Sequence, residues 1–166
     1  MEDFSDEHWM RQALILAQQA DQANEIPVGA VIVSHNAVIG EGFNQPIYSS
    51  DPTAHAEIIA LRNAAQNINN YRLPNSTLYV TVEPCAMCAG AIIHGRIERL
   101  VFGTTEPKAG AVCSHLQLFD QPQMNHRVEW LGGVLADEAS ATVQAFFARR
   151  REEKRALKKA SEVNGS

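Results

Sequence analysis

Cys85 and Cys88 lie three positions apart behind Pro84 in "TVEPCAMCAGAII". At that spacing two cysteines can be a redox pair, half of a metal site, or small apolar residues at a helix start. If Pro84 opens a helix, both sulfurs fall in its first turn and on one face. The positive end of the helix dipole there favours thiolate, the form that binds metal. Two thiolates need a further ligand, and "TAHAEI" offers His55, with Glu57 two residues on. One histidine and two cysteines would hold zinc by three protein ligands and leave the fourth tetrahedral position to water, as in catalytic rather than structural sites. Water bound to zinc has a pKa near 7. Glu57, beside the ligand without being one, is placed to carry its protons.

These residues need elements that bring them together. Trp9, Met10, Ala13, Leu14, Ala17 and Ala20 recur at helical spacing after Ser5, so the chain opens with an amphipathic helix capped by Ser5. "VGAVIV" and "AVIGEGF" around Ser34-His35-Asn36 read as a β-hairpin. A second helix is expected over "DPTAHAEIIALRNAAQN", with Asp51 as cap and Pro52 at its first position. "TLYVTV", "PCAMCAGAIIHG" and "RLVFG" form strand, helix and strand, a βαβ unit with parallel strands. A short strand fits Val128 to Trp130, and a long basic helix runs from about residue 135 to 160. The sum is a single α/β domain over residues 1–166, three layers α/β/α around a five-stranded mixed sheet. Both His55 and the cysteine pair then fall at the carboxyl ends of strands, where such sheets gather their ligands.

Composition narrows the classes. The chain of 166 residues has 45% hydrophobic and 20% charged residues and no apolar run near the ~18 needed to span a membrane. Its start, "MEDFSDEHW", lacks the basic flank and apolar core of a secretory signal, so a cytoplasmic protein is expected. In that reducing setting Cys85, Cys88 and Cys113 do not suggest a disulfide framework. The net charge of −5 hides an asymmetry, because residues 149–159 hold seven Arg or Lys against Glu152 and Glu153, a local +5 on a body of −10. A basic segment on an acidic body fits polyanion binding, and it equally fits a solvated helix end.

The ordered pair His-x-Glu and Pro-Cys-x-x-Cys, with 26 residues between Glu57 and Pro84, resembles the zinc-dependent nucleobase deaminase superfamily. The likeness extends through "IPVGAV", "GEGFN", "DPTAHAEIIALR", "PKAGA", "MNH" and "FFARRR", and these segments resemble the bacterial tRNA adenosine deaminases from Trp9 to about Lys159. That resemblance implies a cytidine-deaminase-like fold, one Zn2+ per chain on His55, Cys85 and Cys88, and Glu57 as the catalytic proton carrier. It implies hydrolysis of a wobble adenosine to inosine in a tRNA anticodon loop, that of an arginine tRNA, by a homodimer using a zinc-bound water. It further implies that Asn44 hydrogen-bonds the nucleotide and that Val28, Ala56 and Pro84 line the base pocket. Residues 106–108, with Glu106 and Lys108, would meet the anticodon loop, Glu106 standing where some members have Asp. Arg150 and Arg151 would bind the RNA backbone.

Other readings carry their own marks. A deaminase of a free base or nucleotide, such as guanine or deoxycytidylate, shares the zinc signature but has little use for a basic terminal helix. A thiol-disulfide oxidoreductase would use Cys85 and Cys88 without metal and leaves His-x-Glu unexplained. A zinc-stabilised RNA-binding module would need a fourth protein ligand. Cys113 reads as a small semi-buried side chain. His8, His35, His94 and His115 match no ligand spacing, and His126 stays open. Trp9, Trp130, Phe146 and Phe147 read as packing anchors, with one of the adjacent phenylalanines forced away from the core.

Overall fold

The computed structural model describes residues 3–165; Met1, Glu2 and Ser166, counted above in the domain, lie outside the described residues. Helix α1 (Asp6–Gln22) begins where the Ser5 hydroxyl accepts the His8 N–H at 3.1 Å. Its buried stripe, Trp9, Met10, Ala13, Leu16 and Ala17 among others, packs with Val31, Val33, Tyr79 and Val101 on one face of the sheet. Strands β1 (Gly29–Ser34) and β2 (Ala37–Phe43) form the hairpin. His35 and Asn36 turn it with φ of 50° and 60°, the positive pair that matches strand twist in a two-residue hairpin loop.

A short helix α2 (Pro46–Ser49), not foreseen in the sequence, follows the hairpin, and α3 (Ala56–Ile68) starts later than expected. Asp51 does not cap α3. Its Oδ1 accepts the N–H and the hydroxyl of Thr53 at 2.8 and 2.7 Å, closing a local turn of its own, and His55 occupies the N-cap position instead. The first turn of α3 lies almost on β2, since a Cβ at Gly42 would sit 2.6 Å from the carbonyl oxygen of Ala56.

Strand β3 (Ser76–Val82), helix α4 (Ala86–His94) and strand β4 (Arg99–Thr104) make the βαβ unit. Cys85 is the N-cap of α4, and Gly95 closes it. Strand β5 (Glu129–Leu131) completes a sheet of order β2-β1-β3-β4-β5, antiparallel across β2-β1-β3 and parallel across β3-β4-β5. Val128, expected to open that strand, is buried just before it, and Trp130 is a partly exposed ring stacked on Phe102 rather than a core anchor.

Helices α3 and α4 bury Ala60, Ala64, Ala89 and Ile92 against Ile32, Leu78, Val80, Leu100 and Phe102 on the second face, so the sheet lies between two helical layers. Helix α5 (Ala136–Asn164) packs with α1 on the first face through Ala139 and Phe146. From Phe147 to Gly165 every residue is exposed. Among the described residues, no helix is long and apolar enough to cross a membrane.

Candidate active site

The N-termini of α3 and α4 meet at the carboxyl ends of β2 and β3, beside the amino end of β1. His55 presents Nδ1 to both sulfurs, 3.6 Å from Cys85 Sγ and 3.5 Å from Cys88 Sγ. Tetrahedral zinc with a Zn–N bond of about 2.05 Å and Zn–S of about 2.3 Å requires an N···S separation of about 3.6 Å. The three donors thus lie where one ion could hold them all, and all donor atoms are within 4.8 Å of one another. Neither Glu57 nor Cys113 belongs to that set.

The thiols are electrostatically unequal. Its hydrogen bond with Cys88, then that with His55, holds the Cys85 thiol down to about 4. Contact with Cys85 and burial push Cys88 up instead. Metal binding requires both as thiolates, and a dication supplies the charge that draws off the second proton. Glu57, in the first turn of α3, is 4% exposed. Burial pushes its carboxyl above the ordinary range, a setting in which a carboxylate readily takes and returns a proton.

A cavity of about 440 Å³ opens beside His55, walled by Asn44, Glu25, Ile26, Ile47, Phe146 and Arg150 among others. Asn44 spends its Oδ1 on the Ala56 N–H at 2.8 Å, which ties β2's end to the first turn of α3. Val28, Ala56 and Pro84 are buried and stand outside this wall; Val28 and Ala56 belong to the core under α3. Arg151 faces a neighbouring groove with Phe147 and Lys154. Glu106 and Lys108 lie apart from the cavity on the loop after β4, where the Lys108 N–H donates to Glu106 Oε1 at 3.0 Å. The phenylalanines divide as their adjacency demands, Phe146 buried and Phe147 exposed.

Two carboxylates escaped the sequence reading. Glu25, 2% exposed, accepts the N–H groups of Ile47 and Tyr48 at 3.2 and 2.8 Å and so fixes α2 at the cavity rim. Glu83, 3% exposed and next to Pro84, accepts from the loop after β4. An acidic residue abutting a β-rich or Pro-Cys segment is the one hint the sequence held. His126 resolves as a structural residue, with Nε2 2.7 Å from the Ile97 carbonyl oxygen.

The MafB19-like deaminase family model matches residues 4–151. The tRNA-specific adenosine deaminase of Haemophilus influenzae is 60% identical over 90% of this chain and 87% of that protein. This chain belongs to the tRNA-specific adenosine deaminase family. Its Bacillus subtilis member is 37% identical over 93% of this chain and 96% of its own length. A solved structure from a study of A-to-I editing by tRNA:A34 deaminases superposes with a TM-score of 0.79 at 41% identity, covering 81% of this chain and 98% of that one. The guanine deaminase of Nitrosomonas europaea shares the fold alone, with a TM-score of 0.76 at 22% identity over 89% of this chain and 87% of that one. The five-stranded mixed sheet between helices is thus the cytidine-deaminase-like fold of this family.

Proposed function

We propose that the chain hydrolyses the wobble adenosine of a tRNA anticodon, in an arginine tRNA, to inosine and ammonia, in the cytoplasm. The observation that carries this reading is the meeting of His55 Nδ1 with both cysteine sulfurs at 3.5 and 3.6 Å beside a buried, non-ligand Glu57. Zinc on His55, Cys85 and Cys88 would supply, when bound, a water acidified to near neutral pKa. Glu57 would accept a proton from the attacking water and give it to adenine N1 as the oxygen adds at C6. It would then take the proton of the new C6 hydroxyl and pass it to the amino group, so that the C–N bond breaks, ammonia departs and the C6 carbonyl of inosine forms. Asn44 orients the nucleotide from the cavity wall, and Val28, Ala56 and Pro84 set the shape behind the base. Glu106 and Lys108 meet the anticodon loop from one side, and Arg150 and Arg151 its phosphates from the other. An anticodon loop already presents unstacked bases, which spares the few kcal/mol of flipping one from a duplex.

The reading includes a homodimer. Helix α4 supports it with an exposed or half-exposed face of Met87, Gly90, Ala91 and His94; among the described residues a Cβ at Gly90 would meet nothing within 4 Å. An apolar groove of about 390 Å³ between α3 and α4, lined by Ile58, Leu61, Ala65, Tyr71 and Ala91, continues that face. A second copy of the chain is its occupant, and sedimentation should give twice the chain mass.

The substrate assignment is tested by treating the unmodified tRNAs that carry adenosine at the wobble position with the protein and sequencing them, since inosine reads as guanosine. Conversion at that position of the arginine tRNA is expected. Conversion of free guanine or deoxycytidylate with none in tRNA would overturn it.

A further inference from the structure

Glu83 sits between the last residue of β3 and the Pro84-Cys85 turn, and its carboxylate is surrounded by donors. Oε2 accepts the backbone N–H groups of Val112, Cys113 and Ser114 at 3.1, 2.9 and 3.0 Å. Oε1 accepts the Glu106 N–H at 3.1 Å and the Ser114 hydroxyl. Three consecutive N–H groups converging on one oxygen form a backbone nest, a geometry that binds anions. Here the anion is the protein's own side chain. No ion pair involves Glu83 among the described residues, so the loop amides and one hydroxyl are its counter-dipoles.

Gly110 shows how closely the loop wraps this group. A Cβ there would lie 2.4 Å from Glu83 Cδ and 2.5 Å from both oxygens. The same loop is joined to the metal-ligand turn by backbone: Cys85 and Gly110 form an antiparallel bridge, and the Ala111 N–H donates to the Pro84 carbonyl at 2.8 Å. One carboxylate thereby organises residues 106–114 and docks them against the turn that holds Cys85.

We infer that Glu83 is a positioning residue, whose carboxylate holds the 106–114 loop in register with the Cys85 turn and so presents Glu106 and Lys108 to the RNA. It touches neither substrate nor metal. Removing it should loosen the loop without emptying the metal site, because Cys85 at the N-cap and Cys88 in the first turn of α4 keep their places. The functional arm rests on the proposed reading of the site; the structural arm does not.

The test pairs Glu83→Gln with Ser114→Ala and their combination. Gln keeps the size but turns an NH2 donor toward donors, whereas Ser114→Ala removes only the hydroxyl and should fold normally. Hydrogen exchange of the Val112, Cys113 and Ser114 amides should quicken at least tenfold in Glu83→Gln, with metal content unchanged. KM for an anticodon stem-loop should rise about tenfold with kcat within twofold of wild type, the mark of lost uniform binding. The Ser114 effect should be smaller and largely absorbed in the double variant. Unchanged exchange at those amides would overturn the inference, as would a fall in metal content together with kcat. If the wild-type protein edits no RNA, the substrate reading fails while the exchange result still decides the role of Glu83.

Discussion

Glu57 and Glu83 are the same side chain at the same depth, 4% and 3% exposed, and their surroundings drive them in opposite directions. Around Glu57 burial dominates and pushes its carboxyl above the ordinary range. Around Glu83 burial pushes the same way, but the Ser114 hydroxyl and the loop N–H groups outweigh it and hold the group below its usual value. Depth alone therefore does not set a carboxylate's role; the count of donors aimed at it does. A group short of donors can exchange a proton with substrate, whereas one saturated by four N–H groups and a hydroxyl stays charged and ties the chain together.

Cys85 belongs to both regions, by its sulfur to the candidate metal-binding set and by its backbone to the bridge with Gly110. Cys85→Ser should therefore separate them, giving the largest effect of all: metal and deamination lost entirely, with the amides of residues 112–114 still protected from exchange. Cys113→Ser, outside the set, should keep metal and rate. Elemental analysis with exchange measurements checks both. Loss of amide protection in Cys85→Ser would mean that the two regions are one.

A smaller effect should come from α5, which touches neither carboxylate. Replacing Arg150, Arg151 and Lys154 with Gln keeps helix propensity and spares Phe146, so the fold should hold. KM for tRNA should rise severalfold with kcat unchanged, and the slope of log affinity against log salt should flatten by roughly 2 to 3 if each charge meets one phosphate. An unchanged slope would assign this exposed half-helix to solvent. Arg149 is left out because it is already paired with Asp21 at 2.7 Å.

The smallest effect concerns a third carboxylate, at Asp6, which has a cationic partner. Arg99 reaches its two oxygens at 2.8 and 2.7 Å, and Tyr79 donates to it at 2.8 Å. The hydrogen bond from Arg99, more than any other cause, holds Asp6 below its usual value. A depressed folded pKa contributes stability above the unfolded value and loses it as pH falls through the folded one, so this share should fade below about pH 4. Both partners are about a third exposed, so solvent screens the pair. Asp6→Asn should cost about 1 kcal/mol, or about 2 to 4 °C in Tm near neutral pH, and much less in acid. Thermal melts at pH 7 and pH 3 test this, and an equal loss at both would deny the ion pair its role.

The gathering of His55, Cys85 and Cys88 was legible in the sequence because ligand chemistry restricts the residue types and because each motif sits at a helix start. The hairpin and the parallel βαβ unit were legible from their strand patterns, whereas the antiparallel pairing of β1 with β3 that joins them was not. The start of α3 was misplaced because Asp51-Pro52 has the composition of a helix cap, while Thr53 satisfies Asp51 locally first. Glu25 and Glu83 were not legible, since their donors lie 22 to 31 positions away along the chain and are mostly backbone N–H groups, which every non-proline residue possesses. Trp130 misled for a different reason: β5 is an edge strand of three exposed residues, so its indole covers Phe102 from outside instead of entering the core.

The central claim, that Glu57 moves the protons of a metal-dependent adenosine deamination without holding the metal, is tested most directly by Glu57→Gln at matched zinc occupancy. Inosine would be measured after nuclease digestion of an anticodon stem-loop bearing a wobble adenosine, under single turnover, for wild type and variant. The account predicts one zinc per chain in both and a rate lower by roughly 10²- to 10⁴-fold in the variant. A variant that edits within tenfold of wild type, or one purified without zinc, would contradict it.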